Sequence, residues 1–246
     1  MTRLAGRTAI VTGGAKGIGL TVVERFAALG DEVIALGRDE AALARLSTKT
    51  AVCDVTDEDA VMRTFEQIGS VDVLVNNAGF AESARLNRTT LASWGKHFDV
   101  NVTGPFLCMR AVVPGMRERG AGAIVTVAST AGRVGTPYTC AYTASKHAAV
   151  GLTRAVASEL AGSGVRVNAV CPTFVRSDMT ERAIARIVDA TGRSEAEGED
   201  ALVRQGRLGR LLEPGEVADT IVFLASPAAE SINGQALVID GGAVQA

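Results

Sequence analysis

Tyr142-Thr-Ala-Ser-Lys146 sets a phenol and an ammonium four residues apart, which on a helix places them on one face. A free phenol titrates near pH 10. A cation beside it favours the phenolate and lowers that value. Tyr142 would then give a proton to a carbonyl oxygen, or take one from an alcohol, near neutral pH. Ser129 ends a β-rich run 13 residues earlier, where its hydroxyl would hydrogen-bond the same oxygen. Near the N-terminus, Thr12-Gly-Gly-Ala-Lys-Gly-Ile-Gly19 joins another such run to a helical pattern. Gly13, Gly17 and Gly19 let the chain turn sharply and approach a pyrophosphate, at a helix N-terminus that offers free N–H groups and a positive dipole end. The spacing is G-x-x-x-G-x-G rather than G-x-G-x-x-G. Singly, each feature has an ordinary alternative: a tight strand–helix loop, a chance Y-x-x-x-K on a helix surface, a serine that caps a helix. Their combination points to redox chemistry between a dinucleotide and a carbonyl or alcohol.

These residues need a scaffold that brings strand ends together. Short β-rich runs at 8–11, 32–36, 50–53, 71–75, 123–127, 166–170 and 235–239 alternate with helical patterns at 18–29, 39–46, 57–68, 94–109 and 141–161. That alternation predicts βαβ units. The expected fold is α/β: a single-domain Rossmann fold spanning 1–246, with a doubly wound seven-stranded parallel sheet and helices on both faces. Right-handed crossovers would put the strand C-termini, and so the ligands, along one edge. The least regular stretch, 177–210 counted with Arg176, holds seven Arg and seven acids, and reads as a mobile helical flap over the site.

With 246 residues, 47% hydrophobic and only 4% aromatic, the chain suits one large domain with an aliphatic core of the kind parallel sheets bury. A net charge of -2 supplies no cationic excess for duplex phosphates, so nucleic acid is not an expected partner. Cys53, Cys108, Cys140 and Cys171 are widely spaced without a C-x-x-C pair. They read as reduced thiols of a cytoplasmic protein, with no metal site. Met1-Thr-Arg-Leu-Ala-Gly6 leads almost directly into the first strand, with no apolar stretch of signal length, and no run reaches membrane-spanning length.

Taken in order, these motifs resemble the short-chain dehydrogenase/reductase family in its compact form of about 250 residues, across essentially the whole chain. The Thr12–Gly19 turn is similar to the family's TGxxxGxG. Asn76-Asn-Ala-Gly79 is similar to its NNAG, Tyr142 and Lys146 to YxxxK, and Asn101 in Phe-Asp-Val-Asn101 to its helical active-site Asn. The resemblance implies roles residue by residue. Tyr142 is the acid/base. Lys146 holds the nicotinamide ribose and depresses the Tyr142 pKa. Ser129 orients the carbonyl, and Asn101 binds water in a relay toward Lys146. Asp54 accepts from the adenine amino group, with Ile18 and Val55 among the dinucleotide contacts. Asn77, Ala78 and Gly79 line the adenine-ribose side and steady the sheet. Pro172-Thr-Phe-Val-Arg-Ser177 is similar to PGxxxT, so the Val175 backbone and the Ser177 hydroxyl would meet the carboxamide. Thr173 and Ser177 depart from that pattern. The family also implies a homotetramer, paired in part through the Gly- and Ala-rich helix 141–161, which otherwise reads as close packing on the sheet.

An NAD enzyme usually ends its second strand on an acid. Here Gly37 stands there, followed by Arg38, with Lys16 in the glycine turn; two cations suit a 2′-phosphate. NADP(H) is therefore the expected cofactor, and Asp39 leaves NAD(H) open. Thr130, Val134, Thr136, Tyr138 and Met179 would wall a moderately apolar pocket. The whole pattern looks most like 3-oxoacyl thioester reductases, on CoA or acyl-carrier-protein substrates. A catabolic NAD-dependent alcohol or 3-hydroxyacyl-CoA dehydrogenase is the alternative. A non-catalytic dinucleotide sensor is a remote one, because such relatives lose the Tyr or Lys. His97, His147, Cys140 and Trp94 read as packing or surface residues.

Overall fold

A computed structural model describes residues 6–206 and 208–245; the expected short lead-in at residues 1–5 lies outside them. The strands are β1 (Thr8–Thr12), β2 (Glu32–Gly37), β3 (Lys49–Val52), β4 (Val73–Asn76), β5 (Gly122–Val127), β6 (Val165–Pro172) and β7 (Ala236–Ile239). The helices are α1 (Gly17–Ala28), α2 (Glu40–Leu43), α3 (Glu58–Ile68), α4 (Leu91–Phe98), α5 (Gly104–Arg119), α6 (Cys140–Glu159), α7 (Asp178–Thr191), α8 (Glu195–Gly206) and α9 (Pro214–Leu224). The strands form one parallel sheet in the order β3-β2-β1-β4-β5-β6-β7, which is the doubly wound Rossmann-type sheet expected from the alternation.

The near-continuous apolar strands are explained by burial on both faces, and the two-residue period sorts the side chains between them. Ala9, Val11, Val33, Ala35, Val73, Val75, Ala123 and Val125 meet Val22 and Phe26 of α1 and Val217 and Ile221 of α9. The intervening Ile10, Ile34, Leu36, Leu74 and Ile124 meet Phe65 of α3, Leu107 and Met116 of α5 and Ala157 of α6. Small side chains on the first face let α1 and α9 lie close to the sheet. Strand order reverses between β1 and β4, so a crevice opens at their carboxyl ends, where sheets of this topology bind ligands.

Two helices differ from expectation. The pattern at 39–46 is a single turn, α2, capped by Asp39, whose carboxylate accepts from Ala42 N–H at 3.0 Å. The pattern at 94–109 starts earlier, at Leu91, where Thr90 accepts from Ser93 N–H at 3.1 Å. It runs to Arg119 but is interrupted at Asp99–Thr103 by a π-helical turn. One widened turn adds a residue without moving the apolar stripe enough for a period-3.6 reading to register it. The irregular 177–210 region is mostly the pair α7 and α8. None of the described helices is long and apolar enough to cross a membrane.

Candidate active site

The glycine turn is held from the side by β4. Thr12 Oγ1 accepts from the N–H groups of Asn77 and Ala78, both at 3.0 Å. Asn77 Nδ2 donates to the carbonyls of Thr12 (2.9 Å) and Gly13 (3.1 Å). These bonds pin the first strand–helix turn to the Asn76–Gly79 segment across the crevice. Sterics then dictate glycine. A Cβ on Gly19 would collide with Gly13 O and Asn77 Nδ2, and one on Gly14 would sit 2.9 Å from Ala35 Cβ and Val11 O. Gly13 and Gly17 have positive φ, 64° and 52°, which glycine adopts at little cost. Gly14 was missed as a structural glycine because its partner, Ala35, is 21 residues away on β2.

One continuous cleft of about 1110 Å³ runs from this turn past the ends of β4, β5 and β6 to α7. Its walls include Gly13, Lys16, Gly17, Ile18, Arg38, Asp54, Val55, Asn77, Ala78, Gly79, Ser129, Tyr142, Lys146, Pro172, Val175 and Ser177. Asn101 stands just behind it, 1% exposed. Apart from Asn101 and Gly19, the expected site residues thus converge on one cavity from seven segments of the chain. Ser177 caps α7, accepting from Thr180 N–H at 3.4 Å. Its Cβ lies 3.6 Å from where a Cβ on Gly17 would stand, so the start of α7 lies over the glycine turn.

At the inner end, α6 carries Tyr142 and Lys146 on its cleft face. The Lys146 ammonium is buried and donates to Val127 O at 2.8 Å. It lies 5.7 Å from the Tyr142 ring centroid. Ser129 follows β5, and its position against α6 is set by close packing: a Cβ on Gly132 would reach 2.7 Å from Lys146 O. Ser129 and Tyr142 both line this end of the cleft.

The titration of this pair corrects an expectation. Lys146 does not depress the Tyr142 pKa here. Burial is the largest influence and raises it above the ordinary phenol value, with the Ser129 hydrogen bond pulling the other way. The same burial lowers the Lys146 ammonium to about 8. Neither charged form is well solvated, and the ammonium faces a carbonyl rather than the phenol oxygen, so desolvation outweighs the attraction. Tyr142 therefore stands as a neutral phenol, a proton donor.

Asn101 sits in the π-helical turn and grips the loop that leaves β4. Its Oδ1 accepts from Phe80 N–H at 2.9 Å, and Nδ2 donates to Phe80 O (2.9 Å) and Ser145 Oγ (3.0 Å). A Cβ on Gly79 would stand 3.5 Å from Asn101 Oδ1 and 3.8 Å from Lys146 Nζ. Glycine keeps that gap free. One turn earlier, His97 is buried: Nε2 accepts from Glu82 N–H at 3.1 Å, which leaves Nδ1 to donate to Ser93 O at 2.7 Å. It braces the same loop and stands edge-on to Tyr142, ring centroids 6.3 Å apart. Ser145 and His97 are supports that sequence reasoning did not assign; their only signal was helical spacing from Tyr142 and Asn101.

The cations expected to meet a 2′-phosphate lie on the cleft but have protein partners. Lys16 Nζ pairs with Asp39 at 2.8 Å and Arg38 Nη1 with Asp54 at 3.3 Å, all on exposed side chains. Asp54 Oδ1 also accepts from the Thr56 N–H and hydroxyl. Gly37 itself places no carboxylate at the end of β2, and a Cβ there would only make ordinary contact with Leu43 at 3.8 Å. The cleft wall also contains Thr130, Val134, Thr136, Tyr138 and Met179, with Arg182, Ala183, Arg186 and Ile187 in addition. Tyr138, 64% exposed, has φ 65°, a left-handed conformation that costs a non-glycine residue about 1–2 kcal/mol.

A family model described as enoyl-(acyl carrier protein) reductase matches residues 13–244. The 2-(R)-hydroxypropyl-CoM dehydrogenase of Xanthobacter autotrophicus is 39% identical, over 96% of this chain and 97% of its own. A 3-oxoacyl-[acyl-carrier-protein] reductase of Thermotoga maritima is 38% identical, over 98% and 99%. A solved variant of actinorhodin polyketide ketoreductase with NADPH superposes with a TM-score of 0.89 at 35% identity, covering 98% of each chain. With a glycine turn, a Ser–Tyr–Lys cluster and a nicotinamide-dinucleotide cleft in one parallel sheet, this chain belongs to the short-chain dehydrogenase/reductase family, oxidoreductases that act on alcohol or ketone groups.

Proposed function

We propose that the chain is an NADP(H)-dependent carbonyl reductase whose substrate is a 3-oxoacyl thioester. The observation that carries this reading is that Ser129, Tyr142 and Lys146 line the inner end of the same cleft as the glycine turn. A phenol protonates a carbonyl oxygen in reduction, and the phenolate takes a proton from an alcohol in the reverse direction.

The residues present fit a nicotinamide dinucleotide. Gly13, Lys16, Gly17, Ile18 and Gly19 would hold the pyrophosphate; Arg38, Asp54 and Val55 the adenosine end; Asn77, Ala78 and Gly79 the middle; Pro172, Val175 and Ser177 the carboxamide end. The nicotinamide, when bound, supplies the hydride to the carbonyl carbon. Ser129 orients the carbonyl, and Tyr142 Oη gives its proton to the oxygen. The Lys146 ammonium would hold the nicotinamide ribose. The gap kept free at Gly79, between Asn101 and Lys146, is where a water would return that proton. The absence of a side chain at Gly37 and the cations Lys16 and Arg38 support NADP(H). The similarity to acyl-carrier-protein and polyketide reductases supports the thioester.

The Lys16–Asp39 and Arg38–Asp54 pairs favour a second reading, an NAD-dependent dehydrogenase of small alcohols, because a 2′-phosphate must compete with both carboxylates. The test is initial-rate oxidation of NADPH and of NADH with acetoacetyl-CoA. A clear NADPH preference is expected; a preference for NADH, with faster oxidation of alcohols, selects the second reading. Tyr142→Phe should keep dinucleotide binding and lose at least about 10²-fold in kcat. Substantial turnover by that variant would remove Tyr142 as the proton donor.

A further inference from the structure

Lys16, Arg38, Lys146, Arg182 and Arg186 line the cleft. The first two are answered by Asp39 and Asp54, and the third by the Val127 carbonyl. Arg182 and Arg186 are different: among the described residues neither forms an ion pair or a hydrogen bond. Asp178 and Asp189, the acids one turn away on α7, pair with neither. Arg186 is the sharper case. The residue is half-buried, and its Nε is shut off from solvent without any acceptor.

The helix presents these groups in a pattern. Met179, Arg182, Ala183, Arg186 and Ile187 all line the cleft, the i, i+3, i+4, i+7, i+8 spacing of one helix face. On a face turned toward a binding cavity, three apolar side chains are what a core-like wall requires; two guanidiniums are not. A guanidinium that lines a cavity without a carboxylate partner keeps its Nη groups for a ligand, and a planar oxyanion is the ligand that best matches two N–H groups. Position separates this oxyanion from the dinucleotide's own phosphates. Arg186 lies nine residues along α7 from Ser177, the cap over the glycine turn. At 1.5 Å per residue that is about 13 Å along the axis.

We propose that Arg186 is the anion-binding residue of the substrate subsite. The physiological substrate carries an oxyanion at the end remote from its carbonyl, and the terminal Nη groups of Arg186 hold it, with Arg182 nearer the dinucleotide end. This rests on the carbonyl-reductase reading of the cleft. The oxyanion has two sources: a carboxylate or sulfonate on a compact substrate, or a phosphate on the arm of a CoA or carrier-protein thioester.

The full chain is assayed by NADPH oxidation with two matched pairs. One is 4-oxopentanoate against its methyl ester. The other is acetoacetyl-CoA against acetoacetyl-N-acetylcysteamine, the same thioester without phosphates. The expected result is a wild-type kcat/KM preference for the charged member of one pair, which identifies the source. Arg186→Met should cut that preference by about 30-fold or more, Arg186→Lys should retain part of it, and Arg204→Met, on the exposed side of α8 outside the cleft, should retain all of it. Absence of a preference in both pairs, or a preference that survives Arg186→Met, overturns the proposal. Binding is read separately, from the change in NADPH fluorescence when 4-oxopentanoate or free CoA is added to the enzyme–NADPH complex. Binding that Arg186→Met abolishes, with no turnover of any ketone, upholds the anion site and refutes the reductase reading. Turnover of charged and neutral members alike does the reverse.

Discussion

Replacing Asn101 by Ala tests whether the π-helical turn is what holds the loop beside the catalytic cluster. The amide is buried and used entirely within the protein, in one bond received from Phe80 N–H and two given to Phe80 O and Ser145 Oγ. A net contribution near 1 kcal/mol per bond, raised where the partner is left buried and unsatisfied, predicts a loss of about 3–5 kcal/mol. For a chain of this size that is roughly a 10 °C fall in Tm. Ser145→Ala removes one of those bonds and the one from Ser145 Oγ to Tyr142 O (2.8 Å), so it should cost about 1–2 kcal/mol. The assay is urea unfolding followed by circular dichroism, with thermal unfolding in parallel. Asn101→Asp keeps the acceptor but turns an oxygen toward Phe80 O, and should be at least as destabilising as Ala. A loss below about 1 kcal/mol for Asn101→Ala, or one no larger than that of Ser145→Ala, would refute the assignment of this amide as the loop's anchor.

Gly19→Ala drives a methyl into Gly13 O and Asn77 Nδ2, so it should abolish measurable NADPH binding by calorimetry and lower stability by about 1–3 kcal/mol, the cost of overpacking. Arg38→Ala should weaken NADPH far more than NADH in the same titration, whereas equal loss of both would end the 2′-phosphate assignment. The folded Lys146 pKa, about 8, lies below its ordinary 10.5. The unfolded chain therefore binds that proton more tightly, and this group's penalty is full below pH 8 and relieved as pH rises from 8 toward 10.5. Lys146→Met should remove a pH-dependent component of order 3 kcal/mol from urea-unfolding stability; an unchanged profile would count against burial as the cause.

The legible part of this protein was local. Strand alternation sorts Ile10, Ile34 and Leu74 from Val11, Ala35 and Val75 by a two-residue period, and that period is written in the chain. Gly13 and Gly19, the Tyr142–Lys146 spacing and the position of Ser129 identify a strand–helix turn and a polar cluster at strand ends. The doubly wound parallel sheet followed from the strand–helix alternation, because right-handed crossovers leave few alternatives.

Tertiary structure decided what depends on burial and on partners distant in the chain. The sign of the Tyr142 shift required knowing that Lys146 points at the Val127 carbonyl and that both groups are desolvated. The pairing of Lys16 with Asp39 and Arg38 with Asp54 required the folded crevice edge. The π-helical turn at Asn101 follows from its fit to Phe80, 21 residues away. Arg186 is one of several arginines in the sequence and becomes distinctive only where α7 turns it into the cleft with no acceptor. Periodicity and motif spacing are properties of neighbours along the chain; solvation and charge pairing are properties of neighbours in space, and only the fold supplies those.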